Sequence, residues 1–388
     1  MTISYSDNIF RLLFRWKGSL WRTVWKELLI YLLLFYLVKV FYACGIDYLS
    51  ENLDDRQRYR GIFEAMCRMF KGYTALIPLT FLLGFYVSEV ISRWWQQFEL
   101  LPWPEDMLSW LCIAIPCNDE KSRQRRHTVA RYIILSTVLV WRDISKSVRL
   151  RFPRVSSLVD AELISKTEYE ALEAVHEDCE ALRWMEPIRW SQQLLLKEFT
   201  ETNFPTGYLN RFLAELQGFR SSLRKLYCYD WVCIPLVYTQ VTAIATYFFF
   251  VFSLFGHQTL DPEVTEAKQV DLHVPVFAIF QFMFLVGWLK VGQDLVRPFG
   301  ADDDDIELNY LLDRHLQTAI GIVERMQVLE FEPEEDQLWK NKDKDLRRLP
   351  HSSHSKDLVE RPPKLNTVIN EDLKEGKARC FSKSQHIK

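Results

Sequence analysis

Four stretches of the chain are long, strongly apolar and almost free of charged residues. They cover residues 28–46, 72–88, 231–255 and 274–289. A helix needs about 20 mainly apolar residues to cross a bilayer, with a lower limit near 17. The third stretch exceeds this length, and Tyr and Trp lie near the ends of several stretches, as in interfacial aromatic belts. The pattern predicts four membrane-spanning helices; the alternative is four buried helices of a large soluble α-helical protein.

The charges that flank these stretches predict their orientation. The basic residues before the first stretch are Arg11, Arg15, Lys17, Arg22 and Lys26. The segment at residues 256–273, between the third and fourth stretches, holds one Lys and four acidic residues. Basic residues concentrate on the cytosolic side of membrane proteins. We therefore expect an integral protein of the plasma membrane whose N- and C-termini are both cytosolic.

The rest of the chain is predicted to be helical. Apolar residues recur with a spacing near 3.6 at residues 128–148 and 208–227, and strand-like alternation is nearly absent. Ser165 and Glu168 have the spacing of a capping box at the start of a helix. The predicted fold class is an all-α membrane protein with four transmembrane helices and a helical cytosolic body. Its expected parts are a cytosolic N-terminal segment (1–26), spans one and two (27–91), a cytosolic helical region (92–228), spans three and four (229–291), an acidic run with its helix (292–331) and a regulatory, largely disordered tail (332–388).

Composition narrows the possible functions. The net charge is −3 and the mean hydropathy is −0.11, values that average apolar spans with a charged body. A near-neutral chain lacks the strongly basic surface typical of nucleic-acid binding proteins. The eight cysteines are too few and too scattered for a disulfide scaffold. The sequence contains no Walker A, GxSxG or HExxH motif, so we predict neither an enzyme nor a nucleic-acid partner.

The second apolar stretch carries a stripe of large side chains. Ile77, Phe81 and Phe85 lie at i, i+4 and i+8, on one face of a helix. By spacing alone, such a stripe is typical of packing or of a lipid-facing surface. Pro78 removes a backbone N–H within the same stretch, which predicts either a broken helix or a tolerated kink.

A run of four aspartates follows the fourth stretch. Residues 302–305 offer hard oxygen ligands of the kind that calcium prefers. The run does not begin an EF-hand, because the sixth position is Glu307 rather than Gly. A structural role is the alternative, since aspartates at the start of a helix cap it and complement its dipole.

Six motifs, in order along the chain, resemble the bestrophin family. They are MTISYS (1–6), RWKGS (15–19), IPLTFLLGFYVSEVISRWWQQFELLPWP (77–104), RFP (151–153), YDWVCIPLVYTQV (229–241) and VGWLKVGQDLVRPFGADDDD (286–305). The resemblance covers residues 1–339. It implies a homopentamer around one central pore, lined by the second helix of each subunit, that conducts chloride and other small anions when intracellular calcium binds.

The resemblance also implies where the pore is narrow. Ile77, Phe81 and Phe85 match the family's hydrophobic neck, which we expect to act as the gate. Asn203 is the nearest match to a second constriction at the cytosolic exit; a surface loop before Pro205 is the alternative.

The implied calcium clasp combines two carboxylates with backbone carbonyls. Its residues are Asp302, Asp305, Asp294, Arg297 and, from the N-terminal segment, Phe10. The sequence departs from the family at this site. Ala301 stands where the family usually has Glu, Arg297 replaces a typical Asn, and the N-terminal segment is shorter than usual.

Membrane lipid and further copies of the chain are the other expected partners. A basic run is predicted to line a cytosolic vestibule, or else to form a solvated loop or a patch for lipid headgroups. Its members are Lys121, Arg123, Arg125, Arg126 and His127. Two rival functions stay open, namely a non-conducting membrane scaffold or regulator of other channels, and a calcium-insensitive anion channel. A carrier is disfavoured, because the chain has no visible inverted repeats.

Overall fold

The computed structural model describes residues 8–49, 52–258, 260, 274–325, 332 and 334–335, and these residues form helices and no β-strand. The first half of the chain holds α1 (Ile9–Leu13), α2 (Leu20–Val40), α3 (Ile46–Leu49), α4 (Leu53–Leu76), α5 (Leu79–Glu99), α6 (Glu105–Ala114), α7 (Glu120–Ile144) and α8 (Lys146–Arg151). The second half holds α9 (Ser157–Asp160), α10 (Lys166–Asp178), α11 (Glu186–Thr202), α12 (Thr206–Trp231), α13 (Leu236–Gly256), α14 (Val276–Leu295) and α15 (Leu308–Arg325). The all-helical prediction is confirmed for the described residues.

Within the part of the chain that the structure describes, three helical segments are long and apolar enough to cross a membrane. They are Leu20–Leu49, α13 and α14. Ser19 caps the first of these segments, because its Oγ accepts a hydrogen bond from the N–H of Arg22 (3.4 Å). The same segment continues through a π-helical turn (Phe41–Gly45) into α3. Helices α4 and α5 are bent by 40° with respect to each other, and as one broken span they complete the predicted set of four.

The spans pack around a shared apolar cluster. Helix α13 contacts α2, α4 and α5, and α14 contacts α2 and α5. Within the cluster the rings of Tyr31 and Phe282 stack with centroids 4.8 Å apart, and the Tyr31 hydroxyl lies 3.0 Å from Ser253 Oγ. Close packing and interhelical hydrogen bonds of this kind hold helices together in lipid, where the hydrophobic effect does not act between them.

A second apolar core holds the helical body, which consists of α6–α12 and α15. Helix α7 contacts α11, α12 and α15, and it is buried almost without interruption from Val129 to Trp141. The continuous helix predicted over residues 128–148 is divided in two. The backbone of Ser145 is extended (φ −117°, ψ 127°) and separates α7 from α8.

A largely buried ion pair joins α7 to α10. Arg131 donates two hydrogen bonds to the Glu168 carboxylate (2.6 and 2.7 Å), and the Tyr132 hydroxyl donates a third (2.6 Å). The N–H of Ser165 donates to the same carboxylate (2.8 Å) and Ser165 Oγ accepts from the N–H of Glu168, which confirms the predicted capping box. Burial opposes ionisation of Glu168, but these hydrogen bonds outweigh it and lower the pKa to about 2.

The chain divides into two units, Met1–Val328 and Leu329–Lys388. All helices named above belong to the first unit. The predicted disordered tail (332–388) lies outside the described residues except for 332, 334 and 335, and so does most of the acidic segment predicted at 256–273.

Candidate functional site

The candidate neck lies at the junction between α4 and α5. Helix α4 ends at Leu76, and Ile77 is extended (φ −83°, ψ 111°) because the residue before a proline disfavours the helical conformation. The N–H groups of Phe81 and Leu82 both donate to the carbonyl of Pro78 (3.1 Å each), so the helix resumes within one turn. Of the two alternatives at Pro78, the structure has the broken helix rather than the tolerated kink.

Helix α5 has two different faces. One face is buried against the other spans, and its residues are Leu79, Leu83, Tyr86, Val87 and Val90. On the opposite face, Phe81 and Phe85 are 62% and 57% exposed, and their rings meet edge to face with centroids 4.6 Å apart. Ile77 is half-buried and packs against the apolar cluster of the spans. The described chain therefore leaves the two phenylalanines of the predicted stripe available for contacts outside it.

A contact that the sequence did not reveal holds the far end of α5. Arg93 Nη2 donates to the carbonyls of Tyr229 (2.5 Å) and Val232 (2.6 Å), and its guanidinium lies 4.9 Å from the Tyr229 ring. The Tyr229 hydroxyl donates to Gln96 Oε1 (2.6 Å). Arg93 thus satisfies carbonyls at the end of α12 that have no helical partner. Both residues lie within motifs that carry the family resemblance, but their spacing gives no sign that they meet.

Asn203 ends α11 in the left-handed conformation (φ 50°, ψ 43°). Its N–H donates to the carbonyl of Phe199 (2.8 Å), and Pro205 starts the next helix two residues later. Asn tolerates this conformation better than most residues because its short side chain bonds locally. Asn203 is exposed in a tight connection between α11 and α12, which is the geometry of the surface-loop alternative.

The predicted vestibule cations lie on the N-terminal half of α7 and are largely paired. Arg125 forms ion pairs with Glu198 and Glu201, and Lys121 pairs with Glu201 at 2.9 Å. Hydrogen bonds from these two cations lower the pKa of Glu201 to about 2. These pairs anchor the last turn of α11, and hence the Asn203 connection, to α7.

One further member of the basic run, Arg126, departs from the vestibule prediction. Arg126 is buried and donates to the carbonyls of Ile115 (2.7 Å) and Cys117 (2.6 Å), so its assignment to a vestibule wall was wrong. His127 Nε2 lies 3.8 Å from the carboxylate of Glu324.

The acidic run forms a closed turn rather than the first turn of a helix. Helix α15 begins only at Leu308. The N–H of Asp302 donates to Asp305 Oδ2 (2.7 Å), and the N–H of Asp305 donates back to the carbonyl of Asp302 (3.2 Å). Gly300 leaves room for this turn, since a Cβ there would stand 2.5 Å from Asp305 Oδ2 and would displace that carboxylate. The alternative that the aspartates cap the first turn of α15 is therefore wrong.

The turn concentrates negative charge. Asp305 is only 7% exposed, and burial together with the charges of Asp302, Asp304 and Asp294 raises its pKa to about 6. Burial and the neighbouring Asp303 and Asp302 also raise the pKa of Asp304. A bound cation would relieve this repulsion.

The side chains of the run do not form a complete metal cage. Among the described residues no group of three or more His, Cys, Asp or Glu side chains is arranged to hold a metal ion. Asp294 and Arg297 are exposed at the end of α14 and just after it. Carboxylate oxygens of the run fit calcium by their chemistry, and any further ligands must come from backbone carbonyls or water.

The N-terminal part of the chain meets the acidic run through α2. Arg22, in the first turn of α2, forms an ion pair with Asp303. Phe10 is 71% exposed, and no described hydrogen bond joins it to the run. Glu27, five residues after Arg22 in α2, also forms an ion pair with Lys290 of α14 (2.7 Å). The surplus of basic residues before the first apolar stretch, to which Arg22 belongs, was the available signal for the Arg22 contact.

Comparisons with known proteins agree on one family. Residues 1–325 match a family model described as "Bestrophin, RFP-TM, chloride channel". Bestrophin homolog 13 of Caenorhabditis elegans is 54% identical over 391 residues, which cover 97% of this chain and 94% of that protein. Human bestrophin-1 is 36% identical over 349 residues, or 87% of this chain and 58% of the human protein. A crystal structure of a bacterial bestrophin homolog from Klebsiella pneumoniae superposes on 78% of this chain and 99% of its own, with a TM-score of 0.57 at 13% identity.

Proposed function

This chain belongs to the bestrophin family, and from that premise we propose that it forms a membrane channel for chloride and other small anions. The exposed pair Phe81 and Phe85, on a helix that is broken immediately before them, is the observation that carries the proposal. Among the described residues, the ring contact of each of these phenylalanines is with the other one. A symmetric assembly of five copies around one axis would bring five such pairs together.

In this proposal the neck is the gate. Rings of Ile77, Phe81 and Phe85 make an apolar constriction, which closes to ions when it loses water. The edge of an aromatic ring carries partial positive charge, so phenylalanines that present their edges favour anions without a fixed charge. Asn203 forms the second constriction, at the cytosolic exit, and the ion pairs between α7 and α11 hold it in place.

Calcium is the proposed activating ligand, bound from the cytosol. Asp302 and Asp305 would hold it through their carboxylates, and Asp294, Arg297 and Phe10 through their carbonyls. When bound, the ion supplies positive charge to a turn whose carboxylates repel one another. Arg22 contacts the same turn from α2, so the position of the acidic run and that of the first span are linked within the chain.

The proposed topology places both termini in the cytosol of a plasma-membrane protein. It rests on the surplus of basic residues before α2 and on an even number of spans. A single cysteine is added at the N-terminus of a variant whose eight own cysteines are replaced by serine, and intact cells are treated with a membrane-impermeant reagent. No labelling is expected, and labelling would contradict this topology.

A flux assay tests the proposed function. The purified full chain is reconstituted in liposomes loaded with chloride, and efflux is recorded with calcium present or chelated. We expect calcium-dependent efflux. A chain that assembles but gives no efflux under either condition supports the non-conducting scaffold instead.

One observation favours a second candidate function, a calcium-insensitive anion channel. No described hydrogen bond joins Phe10 to the acidic run, and Arg297 places a positive charge five residues before that run. Equal efflux with and without calcium would support this candidate over the calcium-gated channel.

A further inference from the structure

The described N-terminal segment, residues 8–19, presents apolar and aromatic side chains to the outside of the chain. Phe10 and Phe14 are 71% and 83% exposed, and Leu13 and Trp16 are exposed as well. The i, i+3, i+4 spacing of Phe10, Leu13 and Phe14 places the three on one side of α1 and its end. An exposed apolar surface of this kind marks a binding site or a membrane contact.

The segment is held at the start of the first span. Trp21 Nε1 donates to the carbonyl of Leu13 (2.7 Å), and Ser19 Oγ donates to the carbonyl of Trp16 (2.8 Å). Gly18 makes the turn between them with a positive φ of 65°. The exposed side chains therefore lie next to the first residues of a membrane-spanning helix, where interfacial aromatic residues are typically found.

The same surface carries positive charge. Arg11, Lys17 and Lys26 are exposed and form no ion pair among the described residues. Glu27 is the single acidic residue of the described segment 8–27, and it already pairs with Lys290. Arg22 is engaged by Asp303.

We propose that this N-terminal surface, Phe10, Leu13, Phe14 and Trp16 with the cations Arg11, Lys17 and Lys26, binds anionic phospholipid headgroups of the adjacent leaflet. The proposal rests on the cytosolic N-terminus proposed above, because anionic lipids concentrate in the cytosolic leaflet. Aromatic rings insert at headgroup level while basic side chains pair with the phosphates. A second copy of the same surface is a poorer occupant, since two faces with surplus positive charge repel each other.

Native mass spectrometry of the full chain in detergent tests the proposal, with phosphatidylserine or phosphatidylcholine added at equal concentration. The wild-type protein is expected to retain several times more phosphatidylserine. The triple variant Arg11→Gln/Lys17→Gln/Lys26→Gln is compared with Arg154→Gln/Lys166→Gln/Lys197→Gln, which removes three exposed cations from the helical body. Because each cation near an anionic surface is worth about fivefold in attraction, the first variant is expected to lose at least about tenfold in phosphatidylserine retention and the second to lose little.

The outcomes separate this proposal from its alternatives. Equal retention of the two lipids by the wild-type protein overturns it, and so does a triple variant that retains as much phosphatidylserine as the wild type. The charge-preserving variant Arg11→Lys/Lys17→Arg/Lys26→Arg should keep the preference. If the triple variant dissociates into smaller assemblies with unchanged lipid per chain, the surface is occupied by a second copy and the lipid assignment is wrong. Lipid retention needs no ion flux, so a non-conducting chain can still support this proposal.

Discussion

The side chains of the helical body and those of the membrane spans find their contacts in different places. In the body, two buried polar clusters find their partners inside the chain. Arg131 is paired with Glu168, and the Tyr227 hydroxyl donates to Asp143 (2.7 Å), where burial raises the pKa of Tyr227. Along the spans, large apolar side chains such as Phe81 and Phe85 stay exposed and have to find partners outside the chain.

This difference indicates where a substitution should have its effect. A group whose partners lie within the chain contributes to stability, so its loss should be measured in unfolding. A group whose partners lie outside contributes little to the stability of the single chain, so its loss should be measured in conduction, lipid binding or assembly. The acidic run belongs with the body in this respect, because its turn is closed by its own hydrogen bonds.

The largest expected effect is that of Glu168→Gln in the body. The substitution removes the charge that faces Arg131, and we expect it to lower the free energy of unfolding by about 2–3 kcal/mol at pH 7. Because the folded-state pKa of about 2 lies below the ordinary value of 4.5, this stabilisation is present above pH 4.5 and is lost as the pH falls towards 2. Thermal unfolding in detergent across pH measures both effects.

Glu170→Gln is the matched control for this prediction. Glu170 is exposed on the same helix, and its substitution should change stability by less than about 0.5 kcal/mol. Chloride efflux per folded channel should be unchanged in both variants. Equal stability of the two variants, or an effect on efflux alone, would contradict the assignment of this pair to the stability of the body.

Gly300→Ala should have the next largest effect. The added Cβ would stand 2.5 Å from Asp305 Oδ2, so that carboxylate has to move and its hydrogen bond from the Asp302 N–H is weakened, at a cost of about 1–3 kcal/mol. Gly321→Ala in α15 is the control, because a Cβ there meets nothing within 4 Å and Ala favours helix by up to about 1 kcal/mol. Thermal unfolding should therefore move in opposite directions in the two variants. A stabilised Gly300→Ala would show that the turn is not packed as described.

The elements that follow from local rules could be predicted from the sequence. Apolar length predicted the spans, and the spacing of Ser165 and Glu168 predicted a capping box. Pro78 narrowed the start of α5 to a broken helix or a tolerated kink, and the structure shows the break. Each of these depends on residues within about one turn or on the composition of one segment. Short-range patterns in the sequence were therefore enough to predict these elements.

Contacts between distant segments could not be predicted in this way. Arg93 meets Tyr229 across 136 residues, and Arg22 meets Asp303 across 281. The acidic run satisfies both the pattern of a helix cap and that of a cation site, and only its fold shows a turn closed on itself. Arg126 sits in a basic run that is indistinguishable in sequence from a solvated face, yet it is buried against carbonyls. The roles of such residues depend on tertiary placement.

Substitutions in the neck should change chloride efflux and leave stability almost unchanged, which is the opposite of what we expect for Glu168→Gln. We expect Ile77→Ala/Phe81→Ala/Phe85→Ala to raise calcium-free chloride efflux by about tenfold, because a wider apolar constriction no longer loses its water. Thermal unfolding should shift little for the two exposed phenylalanines. The control is Phe280→Ala/Phe284→Ala, an equally exposed pair with the same spacing on α14. Unchanged calcium-free efflux in the neck variant, or the same increase in the control, would show that these residues are not the gate.

The smallest effect is expected for the ion pair between Arg22 and Asp303. Its side chains are 54% and 31% exposed, so water and salt screen the attraction, and a double-mutant cycle with Arg22→Gln and Asp303→Asn should give a coupling of only about 0.2–1 kcal/mol. The coupling should fall further in 1 M salt, where the Debye length is about 3 Å. Thermal unfolding of the four proteins in detergent measures it. A larger, salt-insensitive coupling would mean that this pair is buried in the assembled protein, and the acidic run would then meet a partner outside the chain, as the exposed faces of the spans do.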